Sequence, residues 1–294
     1  MGGRLSSDSL GLILGILAVA GFSVTLPATR VAIIYLDPMI VGLGRALIAA
    51  FFAGMLLWLT RQPWPTRSQF KGLLLVALGV VVGFPLFSAF ALQELSAAHG
   101  AVIVGIVPMM TAVVGAIMLH QRPSVGFWLV SAFGSGLVLW FSFGTGADGL
   151  QRADGYLLLA CLAGAVGYAK GGQLASDIGG WQVICWALVI VAPFLLLPVG
   201  WSVVEHGLEA PLSGWLAFAY VSLVSQFFAF FLWYHGMALA GVVRVSQMQL
   251  LQPFMTLVVA ALLLGEMITM EMIGFALAVM MTVAIGRHMP IKQR

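Results

Sequence analysis

GLLLVALGVVVGFPLFSAFALQ, residues 72–93, runs between Lys71 and Glu94 without one charged side chain. A helix of about 20 apolar residues crosses the roughly 30 Å of bilayer hydrocarbon, so this stretch is long enough to span a membrane. Working outward, residues 9–29, 95–121, 123–147, 178–204 and 210–243 also lack Asp, Glu, Lys and Arg. Of the 294 residues, 62% are hydrophobic and 8% charged, against about 25% charged in a typical soluble domain. So few charges cannot cover a water-facing surface.

Ten apolar segments are predicted, at 10–28, 38–60, 71–92, 98–119, 124–143, 154–174, 181–200, 212–234, 241–264 and 269–287, giving an all-α polytopic membrane protein. The connections leave no room for a soluble domain, and the first segment reads as a span rather than a removed leader because so many follow it. The net charge of +3 comes from scattered residues rather than a basic patch, which argues against nucleic acid as a partner. Cys161 and Cys185 sit in apolar runs, where a thiol behaves as a small hydrophobe.

Cytoplasmic loops carry an excess of Lys and Arg. An arrangement with both termini inside puts Arg4, Arg61, Arg67, Lys71, Arg122, Lys170, Arg244, Arg287, Lys292 and Arg294 at cytoplasmic ends. Only Arg30, Arg45 and Arg152 fall toward the other side or within a span, while Asp37, Glu94, Asp148, Asp154, Glu205, Glu209, Glu266 and Glu271 lie at outer ends.

The two halves, 1–148 and 149–294, read as repeats. At an offset of 145, Pro108, Met110 and Thr111 (PMMT) align with Pro253, Met255 and Thr256 (PFMT), and Ser124 with Thr269; at 146, Phe22 falls on Tyr168. A five-span repeat inserts its second copy upside down, an arrangement found in many secondary transporters.

Ten spans as five plus five, a Pro-bearing fourth helix in each half and Glu266 just beyond the ninth span resemble the drug/metabolite transporter superfamily, EamA type, and within it the YddG-like amino-acid exporters. The resemblance covers essentially the whole chain. It implies a central cavity among helices 3, 4, 8, 9, 1 and 6, helices 5 and 10 outside, and transport by alternating access. The chain departs from the family pattern where Gln121 stands opposite Glu266, which weakens proton coupling through paired acids, and where Phe22 replaces a common Trp.

For substrate binding, Gln249, Gln252 and Thr256 fall on one face of the ninth segment, open to two readings: solute recognition or helix-to-helix hydrogen bonding. Phe84 and Phe87 on the third segment, Phe227, Phe230 and Tyr234 on the eighth, and Phe22 and Tyr168 offer aromatic walls or plain packing. Pro108 and Pro253 free a mid-span carbonyl and are hinge or kink candidates. Lys170 and Arg244 either snorkel to the interface or draw in a carboxylate. Arg45, deeper in the second segment, calls for an acidic or carbonyl partner, with a structural pairing expected. His99 and His235 lie near segment ends with no relay or metal set in the sequence. Gly11/Gly15, Gly79/Gly83 and Gly167/Gly171 allow close helix approach within the molecule.

No GxSxG, HExxH or CxxC motif and no mid-span carboxylate pair is present, so an intramembrane enzyme is disfavoured and no metal or cofactor is expected. A channel filter is not evident. The sequence points to a monomeric exporter of amino acids and similar small metabolites in a bacterial inner membrane, surrounded by lipid, with facilitated diffusion preferred over proton coupling. Export of other drugs or metabolites is the alternative.

Overall fold

A computed structural model describes residues 7–118, 122–145, 151–241, 245, 247–286 and 291–292. Arg4, Gln121, Asp148, Arg244, Arg287 and Arg294 lie outside the described residues. The helices are α1 (Ser7–Ile33), α2 (Ile40–Leu59), α3 (Arg67–Glu94), α4 (Ala97–Met118), α5 (Val125–Thr145), α6 (Arg152–Ile178), α7 (Gly180–His206), α8 (Leu212–Ala240), α9 (Gln252–Leu264) and α10 (Met270–Gly286). Seven of them, all but α5, α9 and α10, are long and apolar enough to cross a membrane, and those three are also apolar. Trp58, Trp64, Trp140 and Trp201 are 77%, 79%, 72% and 73% exposed, a pattern suited to lipid and its interface rather than to water.

Several helices overrun the apolar segments because polar turns continue them. At the start of α3, Thr66 and Gln69 form a reciprocal capping box, which satisfies donors the first turn leaves free. Between α6 and α7 a single residue, Gly179 at φ 96°, reverses the chain; only glycine adopts that conformation without strain. Arg122–Pro123 pairs antiparallel with Ile291–Lys292, a two-residue extended contact that the all-α expectation lacks. It ties the chain's last described residues to the connection between α4 and α5.

Four helices are interrupted, and proline accounts for three of the breaks. In α1 the regular ladder is interrupted at Val24, because Pro27 has no N–H for the Ser23 carbonyl. A wide π turn over Ala77–Gly83 precedes Pro85 in α3, where the ring would crowd the carbonyl four residues back. In α4 a turn at Gly105–Ile106 precedes Pro108. The fourth break is a π turn in α8, Tyr220–Phe228, which holds no proline. A π turn at Ile40–Gly44 also opens α2, and a 3-10 turn at Gln247–Leu251 leads into α9 just before Pro253. The α3 and α8 π turns therefore sit at matching places in the two halves, as do the turns before Pro108 and Pro253.

Packing follows the same correspondence. Helix α1 lies on α8, and α6 on α3; α2 lies on α7, and α5 on α10. Each pairing maps onto itself or its counterpart when helix numbers shift by five. Small residues permit these approaches: a Cβ on Gly11 would stand 2.6 Å from Ala240 Cβ, and one on Gly79 would stand 2.7 Å from Gly167 N.

Candidate functional site

Three of the interrupted helices meet α2, α6 and α9 around a small cavity lined by Phe22, Thr25 and Leu26 of α1, Arg45 of α2, Val80 and Phe84 of α3, Tyr168 of α6, Ser225, Gln226 and Phe230 of α8, and Gln252 of α9. Its free volume is about 20 Å³, room for about one water. An amino-acid-sized solute enters only if the walls part. The π turns of α2, α3 and α8 all end at or contain lining residues, in keeping with the frequency of such turns at functional sites.

Polar chemistry concentrates on one side. Thr25 Oγ1 and Ser225 Oγ lie 2.7 Å apart, and Arg45 Nη2 donates to Ser225 Oγ at 3.0 Å. Gln226 Nε2 donates to the Val80 carbonyl at 3.1 Å, so a side chain of the α8 π turn bonds to a carbonyl within the α3 π turn. Buried polar groups are nearly always satisfied. Among the described residues, Arg45 Nε and Nη1 and Gln226 Oε1 at the cavity, and Gln249 Oε1 and Thr29 Oγ1 outside it, have no partner.

The expected structural pairing of Arg45 is not found. The side chain is 2% exposed, and among the described residues no carboxylate forms an ion pair with it. A guanidinium keeps its proton at neutral pH, and an uncompensated buried charge costs several kcal/mol. The signal was present in the sequence as a lone cation inside an apolar run. Ser225 and Gln226, a polar pair in the middle of charge-free 210–243, also carried a signal that helix-face arithmetic passed over.

Aromatic rings form the other side. Phe22 packs on Phe230 with centroids 5.0 Å apart, Tyr168 stands 6.0 Å from Phe230, and Trp233 lies 6.0 Å from Phe22 and 5.7 Å from Tyr168. Instead of standing apart as two walls, these rings meet one another. Gln249, Gln252 and Thr256 are all buried, but only Gln252 lines this cavity.

Other sequence candidates lie elsewhere. Phe87, one turn past Phe84, stacks on Tyr156 at 6.4 Å, and Phe227 packs against Phe231 at 4.5 Å. The Tyr234 hydroxyl is taken by the Gly167 carbonyl at 3.2 Å, so that ring backs Phe230. Lys170 donates to Gln173 at 3.3 Å beside Gly72. The ring of Pro253 lies against Gly105 at the α4 break, joining the two proline-associated turns.

One end of the bundle is bonded together. Arg30 donates to the Leu92 carbonyl and, at 2.9 Å, to that of Gln93, which caps the C-terminus of α3 with a cation. Glu266 accepts from Ala97 N–H at 2.9 Å and Ala98 N–H at 2.7 Å. It therefore serves as an anionic cap on the N-terminus of α4, a role its position beyond the ninth span did not suggest. His99 Nε2 lies 2.8 Å from Asp154 Oδ1, a pairing between helices α4 and α6 that the sequence did not identify. A cleft of about 260 Å³ opens there, lined by Glu94, Ser96, His99, Gln151 and Asp154 among others. Among the described residues no cluster of three His, Cys, Asp or Glu side chains could hold a metal.

Comparison with known proteins agrees with this architecture. The chain matches the EamA-like transporter family twice, over residues 9–143 and 151–286. It is 41% identical over 290 residues to a Bacillus subtilis (strain 168) protein described as the uncharacterized transporter YdeK, covering 97% of this chain and 99% of that one. A chain solved by crystallography shares the fold at 16% identity, with a TM-score of 0.64 over 95% of this chain and 98% of its own length.

Proposed function

Because the chain belongs to the EamA-like transporter family and is thus a multi-pass membrane transporter of small molecules rather than an enzyme, we propose that it exports amino acids and similar amphipathic metabolites. In this reading it works by alternating access across a bacterial inner membrane. Ten helices span the bilayer as two inverted repeats, 1–148 and 149–294, with both termini cytoplasmic, and the unit is a monomer.

The observation that carries the reading is the cavity itself, where polar groups face aromatic rings and every lining helix but α6 and α9 is broken or begins in a π turn. Broken helices are tolerated at membrane depth where they border a cavity. The matching interruptions of α3 and α8, and the helix pairings that survive a shift of five, support two halves able to exchange shapes. The aromatic side gives broad acceptance of solute side chains, since apolar walls discriminate weakly. In the assigned orientation the Glu266 cap and the His99–Asp154 pair lie at the outer end, and outward opening has to separate them.

Counterflow of radiolabelled aromatic, aliphatic, polar and charged amino acids in proteoliposomes tests this, with empty liposomes as control. Saturable exchange of several amino acids is expected, weakened at least tenfold by Gln252→Ala at equal protein level. Folded protein that exchanges none would transfer the solute class to other metabolites or drugs. Reporter fusions placing the termini outside would overturn the orientation.

A further inference from the structure

We propose that Arg45 is the carboxylate receptor of the central cavity, so that the solute carried is a zwitterion or organic acid with a free carboxylate. This rests on the reading of that cavity as the transport site.

Three features of the site point the same way. The guanidinium is fully inside the bundle rather than snorkelled to an interface, so its charge is aimed at the cavity it lines. Among the described residues only Nη2 of its three nitrogens has a partner, the neutral Ser225 hydroxyl, and Nε and Nη1 have none. No carboxylate among the described residues neutralises it. A planar set of donors lacking both counter-charge and acceptors is matched by an incoming carboxylate, which supplies two oxygens and one negative charge together.

The surroundings support an amphipathic solute carrying that group. Gln226 has its amide nitrogen committed to Val80, and its Oε1, without a partner among the described residues, is an acceptor on a residue that lines the same cavity as Arg45. That acceptor suits an ammonium, the second charge of an amino acid, while Phe22, Phe84 and Phe230 offer apolar contact to the rest. Thr25 shares the Ser225 hydroxyl, so Ser225 is held in place and the guanidinium with it.

Counterflow in proteoliposomes of the full chain tests the assignment, using labelled L-phenylalanine and labelled phenethylamine as probes. Unlabelled competitors are L-phenylalaninamide and 3-phenylpropionate, which keep the ring and differ in the carboxylate, and inorganic phosphate as a second oxyanion. Expected in the wild type is exchange of phenylalanine, inhibition by 3-phenylpropionate, and inhibition by the amide at least tenfold weaker. Arg45→Gln should abolish this preference for acid over amide, and Arg45→Lys should retain part of it. Equal inhibition by acid and amide in the wild type would overturn the proposal, and needs no variant to fold. So would a preference surviving in Arg45→Gln, or phosphate competing as well as the carboxylate. Exchange of phenethylamine without phenylalanine would sink the carboxylate receptor and leave the carrier standing; exchange of neither, from folded protein, would sink both this assignment and the amino-acid reading on which it rests.

Discussion

Replacing Glu266 should loosen the start of α4, because its carboxylate supplies acceptors for two amides that no helical carbonyl reaches. The two bonds, 2.9 Å from Ala97 N and 2.7 Å from Ala98 N, join the α9–α10 connection to a helix almost 170 residues away in sequence. Losing an N-terminal cap costs about 0.5–2 kcal/mol, and losing a negative charge at a helix N-terminus about 0.3–1 kcal/mol more. For Glu266→Ala the sum is about 2 kcal/mol, or a roughly 30-fold increase in local opening at about 1.4 kcal/mol per tenfold. Glu266→Gln keeps one carbonyl oxygen but drops the charge, so about 1 kcal/mol and a roughly fivefold increase are expected. Hydrogen–deuterium exchange of the detergent-solubilised protein, read by mass spectrometry over peptides containing Ala97–Val104, measures this directly. Exchange in the Ala variant within twofold of wild type would refute the capping role and reopen Glu266 as a free acid.

Gly79→Ala should destabilise the protein by about 1–3 kcal/mol in thermal unfolding, because its Cβ would meet Gly167 backbone at 2.7 Å and force α3 off α6. Gly115→Ala, where nothing lies within 4 Å, is the control and should match or exceed wild-type stability, since alanine is the better helix former. Buried Cys161 and Cys185 should resist a membrane-permeant maleimide in the folded protein and react only after denaturation in SDS; labelling of either in native vesicles would contradict their burial.

Some of the site was legible in the residues. Phe22 and Tyr168 were paired by the repeat offset and meet across the cavity; Gln252 was named from the stripe on its segment. Phe84 and Phe87 illustrate the limit. They are three residues apart, yet one turn along the axis carries Phe87 past the cavity to Tyr156. The Gln249–Gln252–Thr256 stripe meets the same limit: all three are buried, yet Gln249 and Thr256 lie one turn before and one turn after Gln252 along the axis, and only Gln252 lines the cavity. Arg45 was legible as a buried cation but not as one without a carboxylate partner among the described residues, because which charges surround it depends on which helices pack there.

What the sequence by itself determined is the solvent and the secondary structure. Uncharged runs as long as the hydrocarbon is thick must be helical, because in lipid each segment satisfies its own backbone. The similar PMMT and PFMT strings led to the expectation of two repeats. Only the tertiary structure decided which polar side chains face the cavity and which are spent elsewhere. Proline and π turns rotate the helix faces, and contacts between residues far apart in the chain, such as Gln226 with Val80 and Glu266 with Ala97, take up some hydrogen bonds and leave those of Arg45 open.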